Sequence, residues 1–88
     1  MSWACKLTPD AEHDLKDLPK AVQKRVGRVL TQMAADPFKS DVKALHGEEW
    51  KGIFRRRIGD YRILFTHDRG NKIVHVLRIL RRSGKTYR

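Results

Sequence analysis

Residues 53–65 read IFRRRIGDYRILF. Gly59-Asp60 is a tight-turn pair flanked by apolar and basic runs, so the stretch predicts a β-hairpin. A two-residue turn puts Ile58 opposite Tyr61, Arg57 opposite Arg62, Arg56 opposite Ile63, Arg55 opposite Leu64 and Phe54 opposite Phe65. Side chains alternate between the faces of a strand. One face therefore gathers Phe54, Ile58, Tyr61, Ile63 and Phe65, with Arg56 among them; the other gathers Lys51, Ile53, Arg55, Arg57 and Arg62, with Leu64 and Thr66. The first is a seat for helices and the second a positively charged platform. Arg57 directly opposite Arg62 costs about 0.2–1 kcal/mol, which a bound anion would offset. Edge charges that discourage aggregation are the duller reading; clustering on one face favours an anion site. Arg56 is the odd member and is expected to snorkel at the rim of the helix-covered face.

Working outward, Trp3–Leu7 reads as a first strand. Thr8 can cap a helix, Pro9 suits its first position, and Asp10 and Glu12 complement its dipole, giving a helix over 9–17. Leu18-Pro19 interrupts it. Val22, Val26, Val29, Leu30 and Met33 then make one apolar stripe of a helix over 20–35, ended by Asp36-Pro37. Residues 37–48 read as loop, with a short extended piece at 42–45. Strands are expected over 50–57, 61–66 and 72–80, the last two joined by a turn at Asp68-Arg69-Gly70-Asn71. The fold class is α+β: two N-terminal helices packed on one face of a small, mainly antiparallel sheet, in the order β-α-α-β-β-β, as a single domain over residues 1–88.

The chain carries 20 Lys and Arg against 10 Asp and Glu, a formal charge of +10. Residues 1–49 hold eight basic and eight acidic side chains, whereas residues 50–88 hold twelve basic and two acidic ones, Asp60 and Asp68. The whole excess therefore lies in the half that contains the hairpin, and a biased charge of this size suits a polyanion. One cysteine, Cys5, allows no internal disulfide and no thiol-built zinc site. No run reads as a signal peptide or a membrane span, so a cytoplasmic location is expected.

The segment LHGEEWKGIFRRRIGDYRILF (45–65), followed by VLRILRRSGKTYR (76–88), resembles the RelE/ParE superfamily of bacterial type II toxins, through the GDYR turn-and-strand after a basic strand. The element order and length match as well, and Arg81 and Tyr87 match the RelE branch in type and spacing. The resemblance implies an endoribonuclease that enters the ribosomal A site and cuts mRNA by attack of the RNA 2′-hydroxyl on the adjacent phosphate. It implies a cognate antitoxin, with operator DNA reached only through the antitoxin complex. That chemistry needs stabilised phosphorane charge, a base and an acid. By the resemblance, Arg62 and Arg55 hold phosphate, Arg81 acts as acid or charge stabiliser, and Tyr87 stacks on or orients the base. Lys51, Arg57, Arg82 and Lys85 would add RNA contacts. The pattern departs at two places: Ile53 stands where the family has its first strand lysine, and Arg55 replaces the second. Arginine stays protonated and is a poor base, so Lys51 or Tyr87 is left to fill that role.

Other chemistry is weaker. His13, His46, His67 and His75 show no metal spacing, and no cofactor motif is present. His46 beside Glu48 and Glu49 makes an acid–base pair at most. Two acids after residue 49 are too few for a metal-nuclease cluster. Tyr61 and Trp50 fall on the core parity. Arg78 has no assigned face. Two alternatives stand beside the nuclease: a ParE-like toxin acting on DNA gyrase, and a non-catalytic RNA-binding protein.

Overall fold

The computed structural model describes residues 2–39 and 41–81. The elements are β1 (Ala4–Leu7), α1 (Pro9–Lys16), α2 (Lys20–Ala35), β2 (Val42–Ala44), β3 (Phe54–Ile58), β4 (Tyr61–Asp68) and β5 (Ile73–Arg81), with a 3-10 turn over Glu48–Trp50. The sheet runs β1-β5-β4-β3-β2; β1 pairs parallel to β5 and every other neighbour is antiparallel. The α+β class with two helices on one face is as expected, but the sheet has five strands rather than four. The extended piece after residue 41 becomes β2, because Val42, Lys43 and Ala44 find Arg56, Arg55 and Phe54 as partners.

The hairpin sets the site. All five cross-strand pairs expected between β3 and β4 occur. Gly59 holds φ +54 and Asp60 is not left-handed, the pattern of a type II′ turn, which suits the right-handed twist of paired strands. A Cβ at Gly59 would also come within 2.9 Å of an Arg25 guanidinium nitrogen on α2.

One start is corrected. β3 begins at Phe54, not Trp50. Trp50 closes the 3-10 turn, and Gly52 follows at φ +80, a conformation that costs other residues energy. Trp50 and Lys51 therefore do not share the strand's alternation, and the faces expected for them do not apply.

Helix starts follow the chemistry of the chain. The Thr8 hydroxyl accepts the Ala11 N–H at 3.1 Å and donates to the Leu77 carbonyl at 2.9 Å, while Thr8 N–H donates to Val76 at 3.0 Å. One residue thus ends β1 and caps α1. α2 turns Val26, Val29 and Met33 into the core, where they meet Ile58, Ile63, Phe65, Val74, Val76 and Ile79. Ala11 is the contribution of α1. At the far end of β4, His67 lies on the core side, with ring centroids 4.8 Å from Phe38, 5.4 Å from Phe54 and 6.2 Å from Trp3.

Candidate nucleic-acid interface

On the face of β3 and β4 away from the helix-packed core, two cross-strand rows run side by side. In the first, Arg57 stands opposite Arg62, and Arg62 opposite Leu80 of β5. In the second, Lys43 stands opposite Arg55, Arg55 opposite Leu64, and Leu64 opposite Arg78. The pleat therefore brings Arg55, Arg57 and Arg62 to one face, two residues apart along the strands.

That face is not a bare basic surface. Arg55 is only 7% exposed and Leu64 4%. The guanidinium of Arg55 meets Asp41 Oδ1 at 3.3 Å, and Arg57 Nε lies 3.7 Å from Asp41 Oδ2. The Arg57 backbone N–H also donates to the Asp41 carbonyl at 3.1 Å. An acid from the loop before β2 thus supplies part of the counter-charge that the two arginines require. Sequence reasoning missed Asp41; the only signal was an acidic residue just before the short extended piece expected at 42–45.

Arg78 is committed elsewhere. Its Nε donates to Asp14 Oδ2 at 2.7 Å and its Nη2 to Oδ1 at 3.0 Å, a bidentate pair with α1. The Ile79 backbone N–H donates to the same carboxylate at 2.9 Å. Burial pushes the Asp14 carboxyl up, but the Arg78 and Ile79 hydrogen bonds outweigh it and hold it below the usual carboxylate range. The hydrogen bond to Asp14 in turn raises the Arg78 guanidinium.

Arg81 ends β5 opposite Tyr61, whereas Leu80 is the residue opposite Arg62. By alternation Arg81 belongs to the row of Tyr61, not to that of Arg57 and Arg62. A one-residue bulge sets this parity: Phe65 pairs with Val76 and Leu64 with Arg78, leaving Leu77 unmatched. Lys51 is exposed in the turn before β3. Arg82, Lys85 and Tyr87 lie outside the described residues. Among the described residues, no three His, Cys, Asp or Glu side chains gather to hold a metal ion, and no helix is long and apolar enough to cross a membrane.

The comparisons with known proteins agree with one another. Residues 5–85 match the family model for the ParE toxin of type II toxin–antitoxin systems, parDE. A curated relative, the toxin candidate RelE1 of Methanocaldococcus jannaschii, is 31% identical over 74 residues, 81% of this chain and 80% of that protein. Among solved structures, a chain of the toxin–antitoxin complex RelBE2 from Mycobacterium tuberculosis superposes with a TM-score of 0.84 at 28% identity, over 93% of this chain and all of that one. A chain of the RelE–RelB complex from Pyrococcus horikoshii gives 0.79 at 27%, over 98% of this chain and all of that one. The isolated RelE toxin of E. coli shares the fold, at 0.79 and 14% identity, over 97% of this chain and 89% of that one.

Proposed function

The chain belongs to the ParE toxin family of type II toxin–antitoxin systems, within the RelE/ParE superfamily, and on that premise we propose that it is an endoribonuclease that cuts ribosome-bound mRNA. The observation that carries this reading is the Arg57–Arg62 pair on the face away from the core, with Arg55 two residues along. Guanidinium groups opposed on neighbouring strands, with Asp41 beside only part of their charge, present two cations to one anion. A phosphodiester is such an anion, and its charge grows as the phosphorane forms, so the pair favours the transition state over the ground state.

In the proposed step the RNA 2′-oxygen attacks the adjacent phosphorus and the 5′-oxygen leaves. The products are a 2′,3′-cyclic phosphate and a 5′-hydroxyl. The nucleophile belongs to the substrate, so the protein has to position, neutralise charge and move protons. Arg62 holds a non-bridging oxygen and Arg57 reaches the same phosphate from across the ladder. Arg55, largely buried and paired with Asp41, supports the field rather than gripping the oxyanion alone. Arg81 takes the leaving-group side, which requires its side chain to reach past the end of β5. Lys51 or Tyr87 takes the 2′-proton, and Arg82 and Lys85 extend the RNA track.

The solved relatives include RelB–RelE complexes, and a cognate antitoxin that covers the same basic face fits this chain's charge. The test is a map of mRNA 5′ ends after induction, with and without translating ribosomes. Cleavage that depends on ribosomes is expected. Arg62→Ala should lower it about 10²–10³-fold, the usual loss for one oxyanion donor, in a variant that still folds cooperatively. Normal cleavage by that variant sinks the assignment.

A second reading has its own support, since the matching family model is that of ParE and Ile53 stands where a strand lysine would supply a base. On that reading the chain acts on DNA gyrase. Induction would then raise DNA-damage signalling while transcripts stay intact.

A further inference from the structure

Arg56 sits on the core side of β3, between Val42 and Ile63 across the sheet, both apolar. It is 9% exposed. Its guanidinium lines a cavity of about 340 Å³ at the C-terminal end of α2, together with Gln32, Ala35, Asp36 and Lys39. Nη1 donates to the Lys39 carbonyl at 3.1 Å and Nη2 to Gln32 Oε1 at 3.4 Å. Both acceptors are neutral. Nε is buried without a partner. Among the described residues no carboxylate lies within 4.0 Å of this guanidinium, and Asp36, the acid of the lining, accepts the Phe38 N–H at 3.0 Å. Arg56 is therefore a buried charge held by neutral groups alone, which is costly until a counter-ion arrives.

We propose that this cavity is a carboxylate-binding site, filled by an aspartate or glutamate side chain of a partner polypeptide. A guanidinium has five N–H donors in a planar fork. Two are used here, which leaves three, the buried Nε–H and one on each terminal nitrogen, and a carboxylate accepts two guanidinium N–H groups side by side. Asp36 in the lining penalises a phosphate dianion more than a monoanion. A free small molecule is usually held by several convergent polar groups with most of its surface covered. Here every lining residue but Arg56 is exposed, so a free molecule would stay largely in water, which suits a side chain whose backbone is held elsewhere. The site lies on the opposite side of the sheet from Arg57 and Arg62. It rests on the chain having a polypeptide partner, not on RNA cleavage.

The test follows the Arg56 Nε–H signal in nitrogen–proton spectra of the whole chain, identified by its loss in Arg56→Met. The probes are the blocked tripeptide Ac-Ala-Glu-Ala-NH2, its glutamine counterpart, sodium acetate and inorganic phosphate. The glutamate tripeptide should shift the signal saturably, the glutamine tripeptide should not, and acetate should bind at least three-fold more weakly. Arg56→Lys, which keeps the charge and loses the fork, should bind at least ten-fold more weakly. Without ligand, Arg56→Met should melt at or above the wild type. No saturation by any carboxylate, or equal action of the glutamine tripeptide, removes the site. Acetate or phosphate matching the glutamate tripeptide removes the polypeptide source. An Arg56→Met protein that melts well below the wild type makes the guanidinium a staple between Lys39 and Gln32 and overturns the argument. None of these readings measures transcript cleavage, so the nuclease proposal stands or falls separately.

Discussion

Asp41 decides how strongly the arginine face can pull on a polyanion. Its carboxylate is 46% exposed at the side chain, while the Arg55 guanidinium it meets is nearly covered. The acid therefore has two effects of opposite sign. It stabilises the fold by pairing a buried charge, and it competes with any phosphate for Arg55 and Arg57. Asp41→Asn should lower stability by about 1–3 kcal/mol, the usual cost when a buried charged group loses its partner. The same change should tighten binding of a single-stranded RNA oligonucleotide about two- to five-fold at low salt, as expected for removal of one half-exposed charge. Thermal melts and fluorescence anisotropy on the same samples measure the two together. A variant that is less stable and binds no better would show that Asp41 is only a strut.

At the scale of elements, β5 outruns its neighbour. β1 pairs with Ile73 to Val76 and stops at Leu7, so the edge beyond Val76 would be left with unpaired backbone groups. Thr8 takes the Leu77 carbonyl and Asp14 takes the Ile79 N–H, while Asp14 also fixes Arg78. An α-helix thus completes a strand edge through two side chains. Asp14→Asn weakens an acceptor shared by three donors, and should cost about 2 kcal/mol, or roughly 8–16 °C in melting temperature for a chain of this size. The folded-state pKa of Asp14 lies below its ordinary value, so its contribution is complete above the ordinary carboxyl pKa of about 3.9 and is lost as pH falls through the folded value. The melting gap between wild type and Asp14→Asn should therefore stay constant near neutrality and close below about pH 4. A gap that does not narrow at all as the pH falls below about 4 would place the loss in packing instead.

Across the whole molecule, the +10 charge lies in the half of the chain that builds the hairpin and β5, whereas helices from the neutral half cover the opposite face. The pleat brings Arg55, Arg57 and Arg62 of the charged half to the face away from the helices, while Arg56 and Arg81 fall on the other side of the sheet. RNA binding should weaken with salt in proportion to the phosphates contacted, about 0.7 in log–log slope for each on a single strand. Arg57→Ala should reduce the slope by about that amount without changing preference among sequences. A titration of oligonucleotide affinity against potassium chloride reads it directly; an unchanged slope would remove Arg57 from the interface.

The hairpin register, the caps, the spans of the two helices and the location of the charge excess were all determined by the sequence alone. Each rests on local rules: a Gly-Asp turn fixes which residues oppose, and a 3.6-residue period fixes which face is apolar. Only the tertiary structure decided where Arg81 falls, because the bulge at Leu77 changes the parity of every residue after it. The same holds for Asp41 beside Arg55 and Asp14 beside Arg78, which are 14 and 64 residues apart in the chain. Such pairings depend on how the loop before β2 and the helix α1 close onto a sheet already formed. No local period or turn signal encodes that closure.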